Sequence, residues 1–135
     1  MGVILDSSEI IALERSRGLV ENLVAGREDE PFGISVVTVA ELLHGVERAD
    51  TEVRRIRRQA FVEKVIEMIP VFPFDIGVAR IYSRIWASLV RRGFTAGAHD
   101  LIIAATAISL DYTVITANRR DFEKIEGLRL EVRQA

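Results

Sequence analysis

Asp6, Glu41, Asp100 and Asp121 lie far apart along the chain, yet each stands where an apolar run stops or starts. Asp6 follows Val3-Ile4-Leu5, Glu41 precedes Leu42-Leu43, Asp100 opens DLIIAATAISL, and Asp121 comes shortly after the apolar run that ends at Thr116. In an open parallel sheet such positions gather at the carboxyl edge, where ligands bind. Carboxylates brought together repel one another unless cations bind among them, and an all-oxygen donor set favours magnesium or manganese over zinc or copper. A single acid near a helix start serves more often as a cap or as a partner for the helix dipole. The set is what points to metal chemistry, because polar ends on several buried elements cost core stability and need a shared reason.

The elements that must position these groups follow from periodicity and breakers. Val3-Ile4-Leu5 predicts a buried strand, followed by a helix capped by Ser7 or Ser8 with Ile10, Ile11 and Leu13 inward. Gly18 breaks that helix before a short helical piece through Val24. Phe32 to Val37 predicts a second strand, and Thr38 is expected to cap a helix in which Glu41 takes the third position of a capping box. A longer helix is expected from Thr51 to Ile69, with Val53, Ile56, Ala60, Val65 and Met68 inward. Pro70 to Phe74 reads as a short, proline-limited strand towards a sheet edge.

Asp75 precedes a helix through Leu89 or Val90 whose apolar face includes Ile76, Ile81, Tyr82, Ile85, Trp86 and Leu89. The segment from Asp100 to Leu110 is apolar nearly all round, which predicts a central buried helix. Tyr112 to Thr116 and Leu128 to Val132 complete the strands, with a loop or short helix at Asn118 to Phe122. This alternation predicts an α/β fold, a three-layer sandwich with a mainly parallel central sheet, formed as a single domain over residues 1–135.

Composition narrows the function. The 135 residues are 49% hydrophobic, enough for one substantial core, and the 18 basic against 20 acidic side chains exclude a polycation that grips nucleic acid indiscriminately. Any contact with nucleic-acid phosphates must therefore be local, and Arg91, Arg92, Arg119 and Arg120 are expected to supply it because they lie close in sequence to Asp100 and Asp121. The group Arg54, Arg55, Arg57 and Arg58 spans more than one helix face, so some of its members are expected in solvent or paired with Glu52. The chain has no cysteine, which excludes disulfides and sulfur-ligated zinc and fits a reducing compartment. The opening residues lack a basic leader and are interrupted by Asp6 and Glu9, against a signal peptide or membrane span and in favour of a cytoplasmic protein. The two histidines, His44 and His99, have neither a shared metal spacing nor the pairing needed for attack by an RNA 2′-hydroxyl; packing or interface suits His44, and a loop or capping role suits His99.

The segments ILDSSEIIAL, TVAELLHGV, GAHDLIIAATAI and VITANRRDF, in this order and spacing, resemble the PIN-domain ribonucleases, specifically the VapC toxins of bacterial and archaeal toxin–antitoxin pairs. The resemblance runs from residue 3 to residue 122. It implies a PIN-like sheet with a carboxylate pocket, endonucleolytic cleavage of RNA, homodimerisation, and inhibition by a VapB-type antitoxin through which operator DNA is bound. Carried over residue by residue, it implies that Asp6, Glu41, Asp100 and Asp121 are catalytic and metal-binding, and that Ser8, Thr116 and Asn118 support the pocket. The bottom-up reading of those three, as a helix cap and turn residues, stands beside it. One or two Mg²⁺ ions, with Mn²⁺ as a substitute, would activate water for in-line attack and leave a 3′-hydroxyl and a 5′-phosphate. The chain departs from its relatives in having Thr95-Ala96-Gly97-Ala98-His99 where they commonly carry an apolar residue and proline. The alternatives are a nuclease-like interaction or regulatory module with an incomplete metal site, and a metal-dependent phosphatase on another α/β fold.

Overall fold

The short β-branched runs become strands and the longer amphipathic stretches become helices. The computed structural model describes residues 2–134. In chain order these form β1 (Val3–Leu5), α1 (Ser7–Ser16), a 3-10 helix (Val20–Val24), β2 (Phe32–Ser35), α2 (Val36–Glu47), α3 (Glu52–Met68), β3 (Val71–Phe72), α4 (Ile76–Arg91), α5 (Ala98–Leu110), β4 (Thr113–Thr116), α6 (Arg119–Phe122) and β5 (Arg129–Val132). The five strands form one sheet in the order β3-β2-β1-β4-β5, and every pairing is parallel.

Strand alternation divides the core into the two outer layers expected of a sandwich. Val3, Leu5, Ile34 and Ile115 pack with α1, α2 and α3, whereas Ile4 and Val114 pack with α4, α5 and Phe122. Helix α5 is as buried as its composition requires, with Leu101, Ile103, Ala104, Ala105 and Ala107 all inside.

Several local expectations are corrected. Strand β2 ends at Ser35, whose hydroxyl accepts the Val37 N–H at 3.1 Å and so caps α2. That amide is satisfied before Thr38 is reached; Thr38 is fully buried inside the helix, and Glu41 lies in its second turn, outside any capping box. At α1 it is Asp6, neither Ser7 nor Ser8, that occupies the N-cap position. In α3 the inward residues are Val62 and Val65, while Val53 and Ile56 are 65% and 57% exposed. Ile56 precedes Val65 by nine residues, about half a turn out of phase at 3.6 residues per turn, so the face drawn through Val53 and Ile56 points away from the core. Ala60 and Met68 are likewise exposed. Ile76 and Trp86 also face outward from α4, whose buried residues are Val78, Ile85 and Leu89. Helix α5 begins at Ala98, which brings His99 and Asp100 into its first turn.

Gly33 shows how closely β2 approaches the sheet edge. A Cβ added there would meet the Phe72 ring and lie 2.6 Å from the Pro70 carbonyl oxygen. Gly33→Ala is expected to cost about 1–3 kcal/mol of stability, as overpacking does. A lower urea midpoint with an unchanged slope is the expected reading.

Candidate functional site

From β1 the chain turns to one side, through β2 and β3, and then crosses to β4 and β5 on the other. The switch point between β1 and β4 is where an open parallel sheet leaves a crevice at its carboxyl edge. Asp6 follows β1 and Thr116 ends β4, and the Asp6 N–H donates to the Ile115 carbonyl at 2.9 Å.

Asp6 is only 3% exposed. Thr116 donates its hydroxyl to Asp6 Oδ2 at 2.7 Å, and Ser8 reaches the same oxygen at 3.1 Å. Both hydroxyls are themselves held by loop amides: Asn118 N–H donates to Thr116 Oγ1 at 2.9 Å and Ala117 N–H to Ser8 Oγ at 3.1 Å. Asp75 occupies the same cap position on α4 and spends its carboxylate on the Val78 N–H, whereas Asp6 makes no side-chain cap bond. Its carboxylate is oriented across the sheet instead. Asn118 precedes α6 without capping it through its side chain and contributes its main-chain N–H to Thr116.

The other acids arrive from three helices. Asp100 lies in the first turn of α5, Asp121 on α6 and Glu41 on α2. Partial burial, followed by the charges of Asp121, Asp6 and Glu41, pushes the Asp100 carboxyl up to about 7. The other three carboxylates are therefore within electrostatic reach of Asp100. Burial also raises Glu41, an effect opposed by His99, reinforced by Asp6 and opposed again by a hydrogen bond with Ser7. His99 Nδ1 lies 3.6 Å from Glu41 Oε1, which gives this imidazole a partner on α2 in place of the expected loop role. A Cβ at Gly97 would lie 3.3 Å from Asp100 Oδ2, so a side chain there would require the carboxylate to shift by a few tenths of an ångström.

Among the described residues, no three Asp, Glu or His side chains are already drawn together as a ligand set. The groups nevertheless suit a hard divalent cation: their donors are oxygen, Asp6 is buried and oriented, and Asp100 carries the electrostatic strain that a cation would relieve.

The arginines are arranged differently from their order in sequence. Arg92 is occupied by the Lys124 carbonyl at 2.7 Å, Ser88 at 3.2 Å and Glu126 at 3.5 Å. Arg91, Arg119 and Arg120 are exposed. Arg54 pairs with Asp50, and Arg55 with Glu52 as expected. A groove of about 1010 Å³ between α1, α2 and α3 is lined by Arg15, Arg48, Arg57 and Arg58 and reaches Glu41 and His99. His44 is exposed and lines the same groove. The sequence reading missed Glu9, a buried acid paired with Arg133. Its helical spacing offered the signal, because Asp6, Glu9, Ile10 and Leu13 recur at intervals that share one face.

The sequence matches the PIN domain family over residues 3–128. The chain belongs to that family, and within it to the VapC-like ribonucleases. It is 40% identical over 133 residues to ribonuclease VapC1 of Rickettsia felis, an alignment covering 96% of this chain and 95% of that protein. A chain in the crystal structure of DNA-bound VapBC from Salmonella typhimurium is 29% identical and superposes with a TM-score of 0.86 over 98% of each chain. A chain of Rickettsia felis VapBC2, solved with a promoter DNA fragment, shares the fold at a TM-score of 0.88 and 23% identity, over 99% of this chain and 100% of that one.

Proposed function

We propose that this protein is a magnesium- or manganese-dependent endoribonuclease that acts as the toxin of a toxin–antitoxin pair. The observation that carries this reading is the convergence on the β1/β4 switch point: a buried Asp6 held by two hydroxyls, and an Asp100 raised to about 7 by burial first and then by the charges of Asp121, Asp6 and Glu41. Asp6 and Asp100 hold the cation. Glu41 and Asp121 complete the acidic surround and orient the attacking water. A bound Mg²⁺ or Mn²⁺ supplies Lewis acidity towards the scissile phosphate and makes a neighbouring water a better nucleophile. Ser8 and Thr116 keep Asp6 from turning away when the RNA phosphate, itself anionic, enters the site.

Arg119 and Arg120, on the helix that carries Asp121, contact phosphates near the site, and Arg91 extends the basic surface. The arginine-lined groove beside Glu41 and His99 supports a path for the rest of the strand. A VapB-type antitoxin seated in that groove would cover Glu41 and His99 together, a steric route to inhibition. The likeness to chains from VapBC–DNA complexes supports this partner, and the overall charge of -2 supports DNA being bound only through it. The exposed rings of Phe74 and Trp86, which flank a partly buried Tyr82 with centroids 5.8 and 5.9 Å from its own, support a homodimer. Among the described residues no helix is long and apolar enough to cross a membrane.

The test is cleavage of a defined panel of structured RNAs by inhibitor-free protein. Cleavage with Mg²⁺ or Mn²⁺, its loss with EDTA and its return on adding excess metal are expected. Cleavage that persists undiminished in EDTA would overturn the metal-dependent reading.

A further inference from the structure

A second buried acid stands on the same helix as Asp6. Glu9 is 8% exposed, and its two oxygens lie 2.8 and 2.9 Å from Nε of Arg133, where the chain leaves β5. The Arg133 main-chain N–H donates to the Thr116 carbonyl oxygen at 2.7 Å. The segment after β5 is thus fastened both to the helix that starts beside Asp6 and to the strand that ends at Thr116.

Ser8 connects this pair to the acidic site. Its Oγ lies 3.1 Å from Asp6 Oδ2 and 3.4 Å from Glu9 Oε2. A hydroxyl has one proton to donate, so the two carboxylates compete for it. A buried carboxylate without a partner is a strong acceptor, and an unpaired Glu9 would draw the Ser8 proton to itself. Paired with Arg133, Glu9 has its charge met and the proton is left to Asp6. Stability alone gives little reason for the pair, since the Arg133 side chain is 40% exposed and an ion pair open to solvent at one end contributes little.

We propose that Glu9 and Arg133 are a positioning pair: by satisfying Glu9, the arginine after the last strand directs the Ser8 hydroxyl onto Asp6 Oδ2 and so fixes the carboxylate that holds the cation. This rests on the reading of Asp6 as a cation ligand given above. It makes a prediction opposite in sign to simple electrostatics, because removing a positive charge near a cation site should tighten cation binding.

The experiment uses the full chain and Mn²⁺ alone, titrated by water-proton relaxation, with thermal melting as the check on folding. Arg133→Met is expected to bind Mn²⁺ about tenfold more weakly than the parent, the size of loss typical when an outer partner of a ligand is removed. Adding Glu9→Leu, which removes the competing acceptor, is expected to bring affinity back to within about threefold, a coupling that independent sites would not show. Should Arg133→Met fail to melt cooperatively, Arg133→Gln decides by the same comparison, with a loss of about threefold expected because one N–H donor remains. A folded Arg133 variant that binds Mn²⁺ as tightly as the parent, or more tightly, overturns the positioning pair. A parent protein that binds no Mn²⁺ overturns the proposed cation site itself, a separate outcome from equal binding by parent and variant.

Discussion

Asp6→Asn is expected to lower RNA cleavage by more than about 100-fold, beyond the upper end of what losing an outer partner of a metal ligand costs. The substitution nearly preserves volume, so a fully buried position is neither emptied nor overfilled. What changes is charge and hydrogen-bond sense. Oδ2 now accepts protons from Thr116 at 2.7 Å and from Ser8 at 3.1 Å, and both donors are fixed by loop amides. An amide can turn its oxygen towards those hydroxyls, but it then presents an NH₂ group, a donor, where a cation requires an acceptor. The variant should fold, keep its RNA contacts and lose the chemistry. Rates for the two proteins on the same RNA, purified side by side, are the measurement; equal rates would remove Asp6 from the site.

The second large effect concerns Asp100 and runs through pH. Its carboxyl is pushed from an ordinary 3.8 to about 7 by burial first and then by Asp121, Asp6 and Glu41. A folded state that binds the proton more tightly than the unfolded chain is favoured by acid. The cost of ionising Asp100 is absent below the unfolded value, grows as pH rises towards 7, and is fully present above it. Glu41, raised mainly by burial, adds to the same trend. Metal-free protein should therefore melt at a lower temperature at pH 8 than at pH 5.5, within the window those shifts define. Mg²⁺ should raise the melting temperature more at pH 8, where the carboxylates are ionised and free to bind it. Asp100→Asn is expected to flatten the pH dependence and to raise the metal-free melting temperature at pH 8 by about 3 °C, while removing the response to Mg²⁺. The increment is small because Asp100 is only half-buried, and solvent screens part of the repulsion. A melting temperature that rises with pH in parent and variant alike would refute the assignment of the strain to Asp100.

The elements were legible because their signals are local. β-branched runs ended by polar residues appeared as β1, β2 and β4, and the all-apolar DLIIAATAISL appeared as the buried α5. The parallel three-layer arrangement followed from the alternation of strand and helix. Helix starts were less legible, because several candidate caps compete and the first one in chain order wins: Ser35 took the role expected of Thr38. Faces failed where apolar residues exceed the core available, as in α3, whose Val53 and Ile56 fit a helical stripe and still face outward. Within the site, the grouping of the acids at element ends could be read from sequence. Pocket support from Ser8 and Thr116 was legible only through the family resemblance, because Thr116 meets Asp6 across 110 residues, and the role of Arg133 was not legible at all, because it reaches Glu9 over a separation of 124 residues. Long-range partners of that kind leave no trace in spacing.

The junction of β1 and β4 joins the beginning of the chain to its end: Thr116 meets Asp6 across 110 residues, and Arg133 follows later still. During synthesis the strand β1 therefore waits, with its aspartate unsupported, until β4 has left the ribosome. A product truncated before β4 lacks both Thr116, which holds Asp6, and Asp121, one of the four acids. Parallel strand order thus acts as a timer. A site built this way is assembled only after the strand that carries Thr116 has been made.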